Sequence, residues 1–483
     1  MQVILFILLL IPALVLKPRP LQPYGALPSE RQLAWQETEV YGLIHFTPTT
    51  FENKEWGYGD ADPAVFNPAH FDADQIVGAA KSGGLKGLIL VAKHHDGFCL
   101  WPTQTTSYNI SKSPWKNGEG DLVREVEQAC RKAGLKFGIY CSPWDRNNAQ
   151  YGTPDYLETY RNQLKELYSR YGTLFMSWHD GANGGDGYYG GAREKRKIDN
   201  TVYYDWEHTW NDLTRKMQPS ANIFSDIGWD VRWVGNEKGY AAETHWATFN
   251  PVPESGPKAV PGNVNTRTSS EGTRHGDHWI PAECDVPLRP GWFYHPEQDG
   301  KEKSVDQLFE LYLKSVGRGA CLDLGLAPTT DGLLHTNDVQ ILGEFGNKLK
   351  NTFKTNLILG ARIKASNTRG KSFNTSLLMD GDRYSYWATK DGVHTASLDI
   401  QLPKTMTFDL IQLRENIKLG QRVEQVQVAY LVNGEWVPLA EVKSVGANRL
   451  IPLTSPITTD RIRISLEAPV ELCMSEIGLY KIK

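Results

Sequence analysis

The sequence predicts an α/β domain of more than 300 residues, a (β/α) barrel or a doubly wound sheet, followed by a smaller β-sandwich. Three observations predict it. Helical and strand-like patterns alternate repeatedly before residue 350, as layered α/β folds require. The segments AAKSGGLKGLIL (79–90) and ACRKAGLKFGIY (129–140) are alike, so one helix-to-strand joint is used twice. From about residue 355 the pattern changes to short alternating runs, and only two of the 15 Trp lie there.

The elements follow in order. Met1 to Leu16, MQVILFILLLIPALVL, is one apolar run, too short to span a bilayer comfortably. With Lys17 and Arg19 behind it, it fits the apolar stretch of a secretory signal, although no Lys or Arg precedes it and no small-x-small site follows. The expectation is a secreted or periplasmic protein with no stable membrane span; a buried N-terminal strand is the alternative. Tyr41 to His45 is the first strand run. Asp72 to Ala80 has helical spacing, Gly83-Gly84 stops it, and Gly87 to Ala92 is a buried strand. Asp121 is an N-cap; Leu122, Val123, Val126, Ala129, Cys130 and Ala133 share one helical face. Gly134 ends that helix and Lys136 to Cys141 follows as a strand. Helix Tyr156 to Tyr171 leads into strand Leu174 to Trp178, and Asn222 to Ser225 is a further strand. The helix-like stretch Val339 to Phe353 places the boundary, giving a barrel over 17–353 and a sandwich over 354–483. Strand runs Ser397 to Leu402, Val426 to Tyr430 and Arg461 to Leu466, with a turn at Asn433-Gly434, define the second domain.

Composition narrows the function. A net charge of −4, from 52 basic and 56 acidic residues, supplies no basic field for a nucleic-acid backbone. Hydrophobic residues at 40% and charged residues at 22% exclude a disordered chain, a collagen, a coiled coil and a multi-pass membrane protein. The Trp count suits sugar C–H surfaces, though Trp also fills large cores. None of the six cysteines forms a C-x-x-C pair or a zinc spacing, so they read as small core residues. The sequons at Asn109 and Asn374 matter only in a glycosylating host. No P-loop occurs and no G-x-G-x-x-G follows directly on a strand run, which argues against a nucleotide-binding sheet.

Polar chemistry collects at the strand ends. Tyr41–Ile44 ends in His45, the second strand runs into Lys93-His94-His95-Asp96, and the third into Ser142-Pro-Trp-Asp. Strand Leu174 to Trp178 runs into His179-Asp180, and Asn222 to Ser225 into Asp226. Five such endings describe polar groups ringed over one pocket, where barrels carry their chemistry. His45, His94, His95 and Asp180 are all metal-ligand types, but no H-E-x-x-H or facial-triad spacing occurs, so sugar binding ranks above metal and no cofactor is expected. Sugar cleavage needs two carboxyl groups. Asp180, at a strand end before the Gly-rich 181–191 loop, is the best nucleophile candidate; Glu55, Glu237, Glu243 and Glu283 compete for the acid. Spacing does not choose among them.

At these residues the chain resembles the α-L-fucosidases of glycoside hydrolase family 29. The resemblance covers about residues 27–350 and rests on YGLIHFTPTTF (41–51), KEWGYGDADPAVFNP (54–68), AKHHDGFCLWP (92–102), SWHDGANG (177–184), FSDIGWDVRWVGNE (224–237), WIPAECDVPLRPGWFYH (279–295) and SVGRGACLDLGLAP (315–328). It implies a (β/α)8-like, TIM-type barrel, and is closest in style to the subgroup that cleaves α-1,3 and α-1,4 fucose from branched Lewis-type glycans. It implies a retaining exo-fucosidase with Asp180 as nucleophile and Glu237 as acid/base. His45, His94, His95, Glu55, Trp56 and Tyr140 would hold the fucose hydroxyls, with Trp178, Arg232 and Trp292 as further contacts. Two positions depart from the pattern: His179 stands where Phe is usual and Trp229 where Pro is usual, and both are expected to flank the pocket. The C-terminal region resembles discoidin-like carbohydrate-binding modules, through Asp380-Gly-Asp382, Trp387 and the Leu398–Leu402 strand; sugar binding and a purely structural role both stand open for it. Fucosylated glycans are the implied partners, the oligomeric state is left unknown, and the rival readings are a broad-specificity fucosidase, a fucose-binding lectin and a metal-dependent hydrolase.

Overall fold

A computed structural model describes residues 19–199 and 205–483, so the signal-like run Met1 to Leu16 lies outside the described residues. Eight parallel strands close a barrel in chain order: β1 (Val40–Ile44), β2 (Gly87–Lys93), β3 (Lys136–Cys141), β4 (Met176–Trp178), β5 (Asn222–Ser225), β6 (Val231–Trp233), β7 (Ala282–Pro287) and β8 (Cys321–Leu326). Closure is made by β1 on β8, with Val40 opposite Leu322 and Ile44 opposite Leu326. This settles the barrel against the doubly wound sheet. The outer layer includes α1 (Ala73–Ser82), α2 (Leu122–Ala133), α3 (Pro154–Arg170), α4 (Val305–Lys314) and α5 (Thr336–Phe353). No helix among the described residues is long and apolar enough to cross a membrane.

The local signals act as their chemistry requires. The Asp72 side chain caps α1 by accepting from Gln75 N at 3.1 Å, and Asp121 caps α2 through Arg124 N at 2.9 Å. Gly134 ends α2 at φ 73°, a left-handed conformation that costs a residue with a Cβ. Successive strand residues face opposite sides. Tyr41 and Leu43, Ile89 and Val91, Tyr140, and Met176 and Trp178 therefore pack together inside the barrel, while their neighbours pack against the helices.

Two details differ from the sequence expectation. Leu174 and Phe175 precede β4, which is only three residues long. The strand–helix alternation lapses between β5 and β6, where five residues, Asp226 to Asp230, make the whole connection. Asp230 anchors that return: its N donates to Ile223 O at 3.0 Å, its carboxylate accepts from Ile223 N at 2.9 Å, and Arg31 and Arg215 neutralise it.

After α5 the chain enters an antiparallel sheet, with β9 (Arg362–Ala365), β10 (Thr395–Arg414), β11 (Gln425–Val432), β12 (Glu435–Val442), β13 (Arg449–Glu467) and β14 (Glu476–Tyr480). The long β10–β13 pair shifts register between Gln401 and Met406 and again between Phe408 and Leu410. Such bulges bend the strands, so one pair serves both walls of a core that includes Leu398, Ile400, Phe408, Ile411, Ile462 and Ile464. All six cysteines are buried free thiols.

Candidate active site

The carboxyl ends of β4 to β7 surround a cavity of about 330 Å³, large enough for a small ligand. Trp178, Asp180, Phe224, Asp226, Trp233, Glu237 and Asp285 are among its lining. Asp180 follows β4 by two positions, so it keeps the inward direction of Trp178. Its Oδ2 accepts from Tyr140 Oη at 3.0 Å, its Oδ1 from Ala182 N at 2.7 Å, and His95 Nε2 stands 3.6 Å away.

Glu237 shares this cavity and also lines an adjoining cleft of about 830 Å³ with Glu55, Trp56, Trp292 and His295. Its carboxyl is held above the usual range, first by burial and then by the charges of Asp180 and Glu55, with the Trp292 indole acting in the opposite direction. The other acid candidates are placed elsewhere or engaged. Glu283 lies on β7, fully buried, where Tyr41 Oη and Trp178 Nε1 donate to it, the latter at 2.7 Å. Glu243 sits at the barrel–sandwich boundary between Arg318 and Arg449. Glu55 accepts from Trp292 N and faces His295 Nε2 at 2.8 Å.

The imidazoles form one cluster. His45 and His94 lie 5.4 Å apart ring to ring, His94 and His95 4.2 Å, and His94 stacks on Tyr140 at 5.9 Å. Burial drives all three toward the neutral form: His45 is held down to about 3 and His95 to about 4, and His94 lies well below its ordinary value. A neutral imidazole offers one donor and one acceptor, which suits sugar hydroxyls. The Nδ1 of His94 has no protein partner among the described residues. His95 is oriented by Ser142 Oγ at 2.7 Å, and the rings of Trp56 and Trp292 close the cluster against His95 and His45. Trp56 is 55% exposed, at the mouth.

Three sequence expectations are corrected. Arg232 does not line the cavity: as the middle residue of β6 it points outward, fully buried, and donates to the carbonyls of Ser269, Ile280 and Trp246. His179 does not flank the pocket either. It lies between the inward Trp178 and Asp180 and so faces the helical layer, with Nδ1 2.9 Å from Tyr160 Oη and Nε2 3.0 Å from Ser177 Oγ. Trp229 lies in the β5–β6 connection and lines a separate groove beside Trp279. Sequence reasoning also left out Trp233, whose Nε1 donates to Asp285 Oδ1 at 2.7 Å, and did not carry Asp226 into the site. Asp226 is pushed up to about 7, chiefly by burial and then by Asp180, while Gly262 N and Ile227 N donate to it. The period-two rule applied to β6 and β7 finds both Trp233 and Asp285 from Val231-Arg-Trp and Glu283-Cys-Asp.

The cluster of metal-ligand types among the described residues, Asp299, Glu302 and His335, lines neither cavity, and the Arg289 guanidinium already pairs with both of its acids.

Residues 26–352 match the Alpha-L-fucosidase family and residues 362–476 the F5/8 type C domain. The chain is 37% identical to Alpha-L-fucosidase 1 of Arabidopsis thaliana over 473 residues, covering 96% of this chain and 89% of that one. It is similar to a Ruminococcus gnavus glycoside hydrolase family 29 fucosidase solved in complex with fucose, at 31% identity, TM-score 0.84 and coverage of 96% and 97%. A glycoside hydrolase 29 family member from an unknown rumen bacterium is 37% identical, with TM-score 0.84 and coverage of 96% and 78%. With a closed parallel barrel, carboxyl groups gathered on one cavity at the strand ends and a discoidin-like second domain, the chain belongs to the α-L-fucosidases of glycoside hydrolase family 29.

Proposed function

We propose that this α-L-fucosidase is a retaining exo-enzyme that releases terminal α-1,3/1,4-linked L-fucose from branched, Lewis-type glycans. The observation that carries the reading is the unequal pair in one cavity: Asp180 beside Tyr140 and His95, and Glu237 held toward its protonated form. Asp180 attacks the anomeric carbon while Glu237 gives its proton to the departing glycosidic oxygen, leaving a fucosyl ester on Asp180. Glu237, now a carboxylate, takes a proton from water as its oxygen attacks the same carbon, and the ester breaks to free Asp180. The neutral His45, His94 and His95 hold the fucose hydroxyls, with Trp178 as the floor and Trp292 as a wall. The adjoining cleft, which shares Glu237 and presents Glu55 and Trp56, receives the remaining glycan. The R-W-V-G-N-E (232–237) and ECDVPLRPGW (283–292) segments support the branched-linkage assignment. Residues Met1 to Leu16 act as an export signal in this reading, which N-terminal sequencing of the mature protein tests.

Two measurements test the function. Asp180→Asn is expected to lower turnover by about 10³-fold or more with the fold intact by circular dichroism; an active, folded variant overturns the nucleophile assignment. Fucose release from a Lewis-type trisaccharide is compared with release from an aryl fucoside. Branched-glycan activity with weak aryl activity is expected. Strong aryl activity assigns broad specificity instead, and release from neither assigns a fucose-binding lectin.

A further inference from the structure

One of the places where the barrel and the sandwich meet is the segment Ala242 to Ala247, whose backbone is bonded to the sandwich at Glu243, His245 and Ala247. Gln421, 8% exposed, accepts from Ala247 N at 2.9 Å and donates to His245 O at 3.1 Å. Ser444 Oγ accepts from His245 N at 3.1 Å. Arg449 donates to Glu243 O at 2.6 Å and pairs with its carboxylate, which Arg318 of the barrel also holds. The other side of the segment faces the barrel, where Ala242 N donates to Ser270 O at 3.1 Å and Trp246 N to Glu271 O at 2.7 Å.

The same segment grips β6. Arg232 Nη2 donates to His245 Nε2 at 3.0 Å and to Trp246 O at 2.9 Å, and the guanidinium lies 4.8 Å from the Phe249 ring centre. This buried cation is satisfied by carbonyls and a ring nitrogen, and burial lowers it to about 9. Its hydrogen bonds therefore have nowhere else to go, and displacement of 245–246 carries β6 with it. Directly after Arg232 come Trp233 and the loop to Glu237, both on the catalytic cavity.

We propose that the C-terminal sandwich is part of the catalytic apparatus: Gln421 and Ser444 are positioning residues that, through His245 and Arg232, set where Trp233 and Glu237 stand. Arg449 pins the start of the same segment. The idea rests on Glu237 being the acid/base. A misplaced acid harms cleavage most where the leaving oxygen is a poor leaving group, because an activated aryl oxide departs with little protonation.

The test uses the full-length chain. Gln421→Met/Ser444→Ala is compared with Glu237→Ala and with Ile464→Val, a core change in the sandwich away from the clamp. The clamp variant is expected to lose about 10-fold or more in kcat/KM on an alkyl or oligosaccharide fucoside, through kcat and not KM, and much less on an activated aryl fucoside. Its basic pH limb should also shift. Ile464→Val should keep the wild-type ratio between the two substrates at a matched loss of melting temperature. Gln421→Glu, which keeps the acceptor for Ala247 N, should fall between wild type and the double variant, and serves if the latter does not fold. Equal loss on both substrates, or none, overturns the positioning role while Glu237→Ala still discriminates. If Glu237→Ala does not discriminate either, the acid/base assignment falls and the proposal with it.

Discussion

Side-chain direction at single residues decides what belongs to this site. In β4 and the two residues after it, Met176, Trp178 and Asp180 point inward while Ser177 and His179 point out. A residue beside Asp180 in sequence is thereby turned away from the cavity. His179 is fully buried and held down to about 3 by that burial, so it serves as a neutral link between Tyr160 and Ser177. His179→Phe is therefore expected to leave the substrate ratio of kcat/KM within about twofold and to cost on the order of 1 kcal/mol of stability. Kinetics on both substrates and a denaturant melt check it; a changed ratio with unchanged stability would place His179 back at the pocket. Arg232 follows the same rule in β6. Motif resemblance marks the position but not the direction of its side chain, and the barrel turns it toward carbonyls.

At the scale of elements, helix caps and strand runs were readable because their signals are local. Asp72, Asp121 and Gly134 act within one turn of the residue that bears them. Asp121→Ala should cost about 1 kcal/mol of stability with kcat unchanged, since α2 lies on the outer layer; an equal loss of activity would show that its cap also holds the β3 end. The Asn109 sequon is legible as a motif yet closed as a site. Its side chain is 2% exposed and donates to Thr106 O at 2.6 Å. The helix-free β5–β6 return was not legible. Its anchor, Asp230, draws partners from Arg31 and Arg215, and that pairing exists only once the barrel closes.

For the whole molecule, buried charge sets the pH response. Glu283 and Asp323 are enclosed at the barrel's heart and Asp285 is buried in the cavity wall above them, and Asp323's carboxylate oxygens have no partner among the described residues. Burial raises all three, and for Asp285 and Asp323 neighbouring carboxyls add to it. A raised folded-state carboxyl binds more protons folded than unfolded, so its contribution is present at low pH and is lost as pH rises through the folded value. Glu39 works in the opposite sense at the domain boundary: burial opposes its charge, but Arg414, Arg383 and Lys86 hold it down to about 2. Its contribution is present above the ordinary carboxyl range and is lost only as pH falls toward 2. The melting temperature should therefore fall by about 2–5 °C between about pH 6 and pH 8.5. Asp323→Asn should flatten that slope; an unchanged slope would show that these acids do not carry it.

The sequence by itself determined the two domains, the first five barrel strands with the helices between the second and fourth, the nucleophile candidate and the set of residue types at the strand ends. These rest on hydrophobic period, caps and motif, all of which act over a few residues. Spacing left the four Glu candidates for the acid equal, and only the tertiary structure showed that, of these four, Glu237 lines the cavity with Asp180. Glu55, Glu237, Glu243 and Glu283 are equivalent as letters, and they part company through burial and partners supplied from distant segments. It also decided that Arg232 and His179 face away from the pocket, that Trp233 and Asp285 face it, and that Gln421 and Ser444 of the sandwich hold the segment behind Glu237. Contacts between residues nearly 200 positions apart, such as Ser444 with His245, follow from closure and docking and leave no local periodicity to read.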